Sequence, residues 1–253
     1  MRGVPEVQRG GRLKEGTPTH DIARIRATYD AIKERVPDLI VNLSSAVGMG
    51  KTPEQRIAQI VAIKPEMASL NTNSMNFAGA NRKTGEILVD YIFDNTFATI
   101  QNFARAMREN GVKPEIEVYD IGGLDNILLL MKQGIFSDPM NFNFVWGVAG
   151  GQTFRPEVFV AMVNALPDKA NFTTCGVGRE EFSCIMQSCM LGGHMRVGLE
   201  DNVRAPNGDL VKGSYELVEW AVRVGQILGR EPATPNEARA IMGLRGCDKQ
   251  EQR

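Results

Sequence analysis

Apolar residues recur along this chain in two alternating rhythms. Ile22, Ile25, Tyr29, Ile32 and Val36 fall three and four apart, which puts them on one face of a helix. A short apolar run, Leu39 to Leu43, follows and reads as a buried strand. Thr52, Pro53 and Gln55 then supply an N-cap, a first-turn proline and a capping-box partner, so a helix opens there and continues through Ile57, Ile60 and Val61. Met67 to Leu70 is the next strand. Thr72 to Asn95 reads as a long loop holding Gly79, Asn81 and Gly85, ahead of a helix with the stripe Phe97, Ile100, Phe103, Ala104 and Met107 that Gly111 ends. Three more rounds follow: strand Ile116 to Tyr119 with helix Leu124 to Lys132, strand Asn141 to Val145 with helix Pro156 to Leu166, and strand Phe172 to Cys175 with helix Glu180 to Met190. The last strand is His194 to Val197. A closing helix carries Leu217, Trp220, Ala221, Val224, Ile227 and Leu228, and Thr234, Pro235 and Glu237 cap a short final one.

Strand followed by helix at short intervals is the pattern of a parallel sheet covered by helices. The expected class is α/β, of the TIM (βα)8 barrel type, in one domain over residues 1–253 with a polar lead at 1–20 and a tail at 245–253. Six strands are visible, whereas a closed barrel needs eight. The lead is too short for a βαβ unit of roughly 30 residues. Either the sheet is open or the barrel lacks its first strands.

With 253 residues and 43% hydrophobic composition, the chain can bury a full core. Formal net charge is −1 and the 29 basic residues are dispersed, which argues against nucleic acid or an anionic membrane as partner. No apolar run approaches the roughly 20 residues of a bilayer span. Cys175, Cys184, Cys189 and Cys247 show no CxxC spacing, so reduced thiols and a cytoplasmic location are expected.

Working residues of such barrels sit at the C-terminal ends of strands. In the alternating strand Glu115 to Tyr119, Ile116 and Val118 face the covering helix, and Glu117 and Tyr119 face the interior. An inward carboxylate either joins an arginine in a structural ion network or does chemistry. Gly193 to Asn202 is the densest polar cluster at any strand end. Within it, Glu200 and Asp201 could ligate a metal or move protons, and Arg196 could fix an anionic substrate. The competing reading is a polar turn whose Asp201 and Asn202 satisfy backbone donors. Glycine turns at Gly147 to Gly151 and Gly176 to Gly178 precede helices, where phosphate binds well. The second, with Arg179, suits a nucleotide-bearing ligand such as coenzyme A, although a tight turn needs glycine equally. Ser44 and Ser45 end one strand, and Asn71 and Asn73 the next, as substrate contacts or as caps. His20 lies at a helix start, and His194 at the wrong end of its strand for catalysis.

The stretches IVNLSS, KPEMASLNTNSMNF, GVKPEIEVYDIGGL, FVWGVAGG, GVGRE, GGHMRVGLEDN, ELVEWAVR and GREPATPNEARAIMG together resemble the β-keto acid cleavage family, also called 3-keto-5-aminohexanoate cleavage enzymes. They run in family order from Asp21 to Leu244. The resemblance implies a zinc-dependent (βα)8 barrel, usually oligomeric. Its reaction exchanges the acetyl group of acetyl-CoA with a β-keto acid, giving acetoacetate and a new acyl-CoA. By position, Glu200 matches a metal-ligating carboxylate, Asp201 the acid-base residue, and Arg196 the residue that holds the substrate carboxylate. Glu117 matches a further active-site carboxylate, and Ser44 or Ser45 a serine that assists proton transfer. The family's HxH zinc ligands and its first-strand glutamate have no counterpart here, so poor zinc binding is expected. The leading expectation is therefore a family enzyme deprived of its first strands, poorly soluble as a lone monomer because its sheet edges are exposed. Two rivals stand beside it: an inactive homologue acting as a binding or oligomerisation partner, and a metal-dependent aldolase-type lyase.

Overall fold

Asp21 ends the lead with a side chain that accepts the N–H groups of Ala23 and Arg24, so helix α1 (Ile22–Arg35) starts where the apolar spacing places it. The computed structural model describes residues 6–9, 19–48 and 50–245. After β2 (Ile40–Leu43), the capping box of Thr52 and Gln55 opens α2 (Pro53–Ile63). Then come β3 (Met67–Asn71), β4 (Met75–Asn81), β5 (Glu86–Phe93) and α3 (Phe97–Glu109). The alternation continues with β6 (Lys113–Val118), α4 (Ile121–Met131), β7 (Asn141–Trp146), α5 (Pro156–Asn164), β8 (Asn171–Gly176) and α6 (Glu181–Met190). It closes with β9 (His194–Met195), α7 (Ser214–Ile227) and α8 (Pro235–Met242).

The sequence reading needs two corrections. Part of the polar lead, Glu6–Arg9, is a strand, β1, that pairs in parallel with β2, so the main sheet has seven strands in the order β1-β2-β3-β6-β7-β8-β9. The long loop Thr72 to Asn95 is mostly an antiparallel hairpin, β4 against β5. Only Asn81 to Gly85 turns, with Gly85 at φ +79° where a side chain would be strained. Phe77 holds the hairpin together, its ring 5.3 Å from Tyr91 and 5.6 Å from Phe93.

Alternation divides the sheet into two chemically distinct faces. Val41, Leu43, Ala68, Leu70, Ile116, Val118, Phe142, Phe144 and Trp146 pack with the helices in the main core. Fully burying each large side chain there contributes roughly 1.5–3 kcal/mol. The opposite face carries Asn42, Ser69, Asn71, Glu115, Glu117, Asn141, Asn143, Thr173 and His194, with Arg196 just past β9, and Ser69, Glu115 and Asn141 are in register across three strands, as are Asn71, Glu117, Asn143, Thr173 and His194 across five.

Contacts across this polar face show that the sheet curls. Arg196 follows β9, three strands from Glu117 on β6, yet their charged groups lie 3.3 Å apart. In a flat sheet three spacings of about 4.8 Å would hold the backbones ~14 Å apart. Asn42 on β2 likewise donates to Glu115 on β6 at 2.7 Å across the intervening β3. Helix α8 closes the N-terminal mouth, packing Ala238 and Met242 on Ile40 and Met67. It is tied down by Arg239, whose fork meets Glu66 at 2.6 and 2.8 Å.

Candidate active site

Only two residues of β9 pair regularly before the chain turns at Gly198, and that turn brings Arg196 and Asp201 together. Arg196 donates Nε to Asp201 Oδ2 at 3.0 Å and Nη2 to Asp201 Oδ1 at 3.2 Å, a two-pronged grip that lysine could not make. Its Nη1 donates to Glu117 Oε1 at 3.3 Å, and its Nη2 lies 3.5 Å from Glu200 Oε1. The side chains of Arg196, Asp201 and Glu117 are 16%, 8% and 6% exposed, whereas Glu200 is 58% exposed. One buried carboxylate, two largely covered partners and one rim carboxylate therefore form the cluster. Burial opposes the arginine's charge, but Cys175, Asp201, Glu117 and Glu115 outweigh it and push its pKa further up. Tyr119, buried beside Glu117, has its phenol pushed up by burial first and by the carboxylate second.

The loop behind the cluster is held from α6. Glu181, fully buried, accepts Gly198 N–H at 3.3 Å and Asn202 Nδ2–H at 2.6 Å, and Gly178 N donates to Asp201 O at 2.8 Å. Burial pushes the Glu181 carboxyl up to about 7, against the two hydrogen bonds that favour its charged form. On the other side Glu180 accepts Phe154 N–H at 2.6 Å, so the start of α6 pins both neighbouring loops. Gly176 is required by packing, since a Cβ there would meet Cys184 Sγ and the Glu181 nitrogen at 2.7 Å.

The remaining sequence candidates distribute unevenly. Asn71 sits beside Glu117 in register and donates to Ser45 Oγ at 3.2 Å, so Asn71 and Ser45 adjoin the cluster's polar face. Asn73 instead donates to Asp120, the N-cap of α4, and Ser44 accepts from Ala46 N within its own turn. Gly178 spends its N–H on Asp201, and Arg179 is exposed. Sequence reasoning missed Glu115, bonded to Asn42, and Asn143, which sits between Glu117 and Thr173 in register, fully buried with neither amide atom hydrogen-bonded. Strict alternation from Glu117 across the neighbouring strand was the signal available for Asn143. His194 is buried with Nδ1 unpartnered, and burial followed by Arg230 pushes its pKa down to about 4.

A zinc centre does not fit these residues. Among the described residues no three His, Cys, Asp or Glu side chains gather to hold a metal ion. Glu200 faces Arg196, while His20 is exposed and His194 is buried lower on the sheet, so a three-ligand set cannot be assembled around Glu200. A cavity of about 250 Å³ opens at the N-terminal end of β6 and includes none of the candidate residues. Its cations are already engaged with backbone carbonyls: Lys113 with Ser137, Arg108 with Gly134 and Arg245 with Lys64.

The family model described as beta-keto acid cleavage enzyme matches residues 11–244. The chain belongs to this family. It is 42% identical over 233 residues to the 3-keto-5-aminohexanoate cleavage enzyme of Acetoanaerobium sticklandii, covering 92% of this chain and 81% of the relative. A more distant relative, the 3-oxoadipate:acetyl-CoA acetyltransferase of Cupriavidus necator, is 29% identical over 237 residues, 92% of this chain and 78% of that protein. Among solved structures, the binary complex of ObcA with oxaloacetate superposes with a TM-score of 0.74 at 19% identity, covering 96% of this chain and 63% of that one. The chain thus spans less than two thirds of that structure, and the likeness is one of fold. This β-keto acid cleavage enzyme has the curled parallel sheet of the (βα)8-barrel class.

Proposed function

We propose that this enzyme exchanges acyl groups between a β-keto acid and acetyl-CoA at the Arg196–Asp201–Glu117 cluster, releasing acetoacetate and a new acyl-CoA. The observation that carries the reading is the buried arginine fork, held by Asp201 and Glu117 at the C-terminal end of the sheet. In this reading a carboxylate removes a proton from the carbon between the keto and carboxyl groups. That carbon attacks the thioester carbonyl, and CoA leaves as thiolate. The thiolate then attacks the original keto carbon, the carbon–carbon bond breaks with its electron pair left on acetoacetate as the enolate, and that carbon takes back the proton held by the carboxyl group, so that acetoacetate and the acyl-CoA separate. Asp201 is the proton-moving group we assign, because Arg196 fixes both of its oxygens and orients it. Glu200 makes the longest of the arginine's contacts and is exposed, so a substrate carboxylate can displace it and take the free side of the fork.

The family resemblance implies zinc in the reaction, and the described residues do not fit a zinc centre. Glu200, the residue that matches a ligand by position, is paired with Arg196, and no step above depends on a metal. The exposed Ile87, Leu88, Val89 and Ile92 of β5 support self-association, and the buried free thiols Cys175, Cys184 and Cys189 support a cytoplasmic location.

The test is to incubate the chain with acetyl-CoA and, in turn, 3-keto-5-aminohexanoate and 3-oxoadipate, following acetoacetate. Turnover in the wild type that Asp201→Asn abolishes is the expected result. Absence of acetoacetate with every β-keto acid tried would sink the reading. Elemental analysis runs alongside, where stoichiometric zinc in the purified chain would show the ligand assignment to be wrong.

A further inference from the structure

Charged side chains seldom disappear entirely inside a fold, and Glu181 has done so at the first position of α6, with no cation among the described residues bonded to it. Both of its oxygens are spent on one short turn. Oε1 accepts the N–H of Gly198, and Oε2 accepts Nδ2–H of Asn202, the residues that open and close the segment carrying Glu200 and Asp201. Asn202 is itself locked, since its Nδ2 also donates to Arg204 O at 2.7 Å and its Oδ1 accepts Arg204 N–H at 3.0 Å. Inside the turn, Gly198 O accepts the N–H groups of both Asp201 and Asn202. The segment is therefore clamped at both ends by one carboxylate, with Asp201 between them facing Arg196.

We propose that Glu181 is a positioning residue for the acyl-exchange reaction, holding the Gly198–Asn202 turn so that Asp201 stays aimed at the Arg196 fork. This rests on the reading of Asp201 as the proton-moving group. The carboxylate of Glu181 meets Gly198 N–H and the Asn202 side chain rather than the Asp201 carboxylate or the Arg196 fork. It acts through the turn, and misplacing a proton-moving group by about 1 Å costs on the order of a hundredfold in rate.

Chemistry at the clamp supplies a sharp test. Both partners of Glu181 are donors, so Glu181→Gln must turn its own N–H toward one of them and lose that contact in either orientation of the amide. Adding Asn202→Asp exchanges donor and acceptor at the clamp: the glutamine N–H then meets the carboxylate introduced at position 202 and its oxygen keeps Gly198 N–H, while the donation from position 202 to Arg204 O is lost. We expect Glu181→Gln to lower kcat by about ten- to a hundredfold with KM for acetyl-CoA little changed. Amide hydrogen exchange should accelerate in the 196–204 segment and stay unchanged in α3 and α4. The double variant should recover part of both, since the contact with Glu181 is restored and that with Arg204 O is not. Unchanged exchange in the segment, acceleration spread evenly over the molecule, or no recovery in the double variant would overturn the proposal. A wild type without turnover defeats the acyl-exchange reading and, with it, any role for Glu181 in that reaction. A wild type that turns over beside a Glu181→Gln variant of equal kcat defeats the proposal alone.

Discussion

Replacing Arg196 by methionine removes the cation while keeping an unbranched side chain in its place. Asp201 then loses both of its side-chain hydrogen bonds, at 3.0 and 3.2 Å, while remaining only 8% exposed. Glu117 loses the contact at 3.3 Å. Breaking a buried ion pair from one side costs about 3–5 kcal/mol, because the abandoned charge is left without water or partner. For a chain of 253 residues that corresponds to a drop in Tm of roughly 6–20 °C. Much of this penalty belongs to the stranded charge, so neutralising it should recover stability. Arg196→Met with Asp201→Asn is expected to cost only ~1–2 kcal/mol, and Arg196→Lys to fall between, since lysine keeps the charge but not the fork. Urea midpoints and Tm at pH 7 and fixed ionic strength measure all three. If Arg196→Met costs less than about 1 kcal/mol, water already reaches Asp201 and the cluster is a surface ion pair in energetic terms.

The carboxyl of Glu181 gives a pH prediction. Its folded pKa is raised from 4.5 to about 7, so the folded chain holds a proton that the unfolded chain has released, and stability falls as pH rises from 4.5 through 7. The full shift corresponds to ~3 kcal/mol at most, and relaxation of the polar groups around the carboxyl reduces it to ~1–2 kcal/mol. Urea midpoints of wild type and Glu181→Gln should therefore diverge between pH 5 and pH 8, and parallel curves would refute the assignment. Asn143→Leu removes two unbonded buried amide atoms at similar volume, so it should leave stability unchanged or raise it by about 1–2 kcal/mol, and a lowered Tm would reveal a bonded water. Phe159→Ala should cost about 3–5 kcal/mol by calorimetry, since Phe159 is fully buried with rings of Phe144, Trp146, Phe154 and Phe172 between 5.6 and 6.1 Å away. A loss under ~2 kcal/mol would mean that the cluster repacks.

Elements with strong local signals were legible in the sequence. Thr52 with Gln55 and Thr234 with Glu237 form the capping boxes their spacing announces, because capping is settled within four residues. The helix-facing apolar positions of β6, Ile116 and Val118, followed from alternation alone. Strand β1 was hidden because Glu6–Arg9 carries no apolar run, and its pairing depends on the neighbouring β2, a tertiary fact. The hairpin was hidden by its own punctuation. Gly79, Asn81 and Gly85 together read as loop, yet Gly79 lies inside β4, where an added Cβ would meet the Val89 side chain at 3.5 Å, and only the later pair belongs to the turn.

At the site, sequence could name the residue types but not how they divide the work. Arg196, Glu200 and Asp201 lie within six residues, so any folding of that loop brings them near one another, whereas the choice of Asp201 for the two-pronged contact depends on the turn at Gly198. Glu117 enters only through the curl of the sheet, which closes a distance that strand order leaves open. The glycines of GVGRE resemble a phosphate cradle locally, yet each has a competing cause that lies elsewhere in the chain. Gly176 is pressed by Cys184, and Gly178 donates to Asp201. A glycine signal reports that the backbone must come close to something, and whether that something is a ligand or another loop is decided by packing. The same holds for Glu181: its carboxylate reads as an ordinary first-turn helix residue until the loop that it clamps has been laid against it.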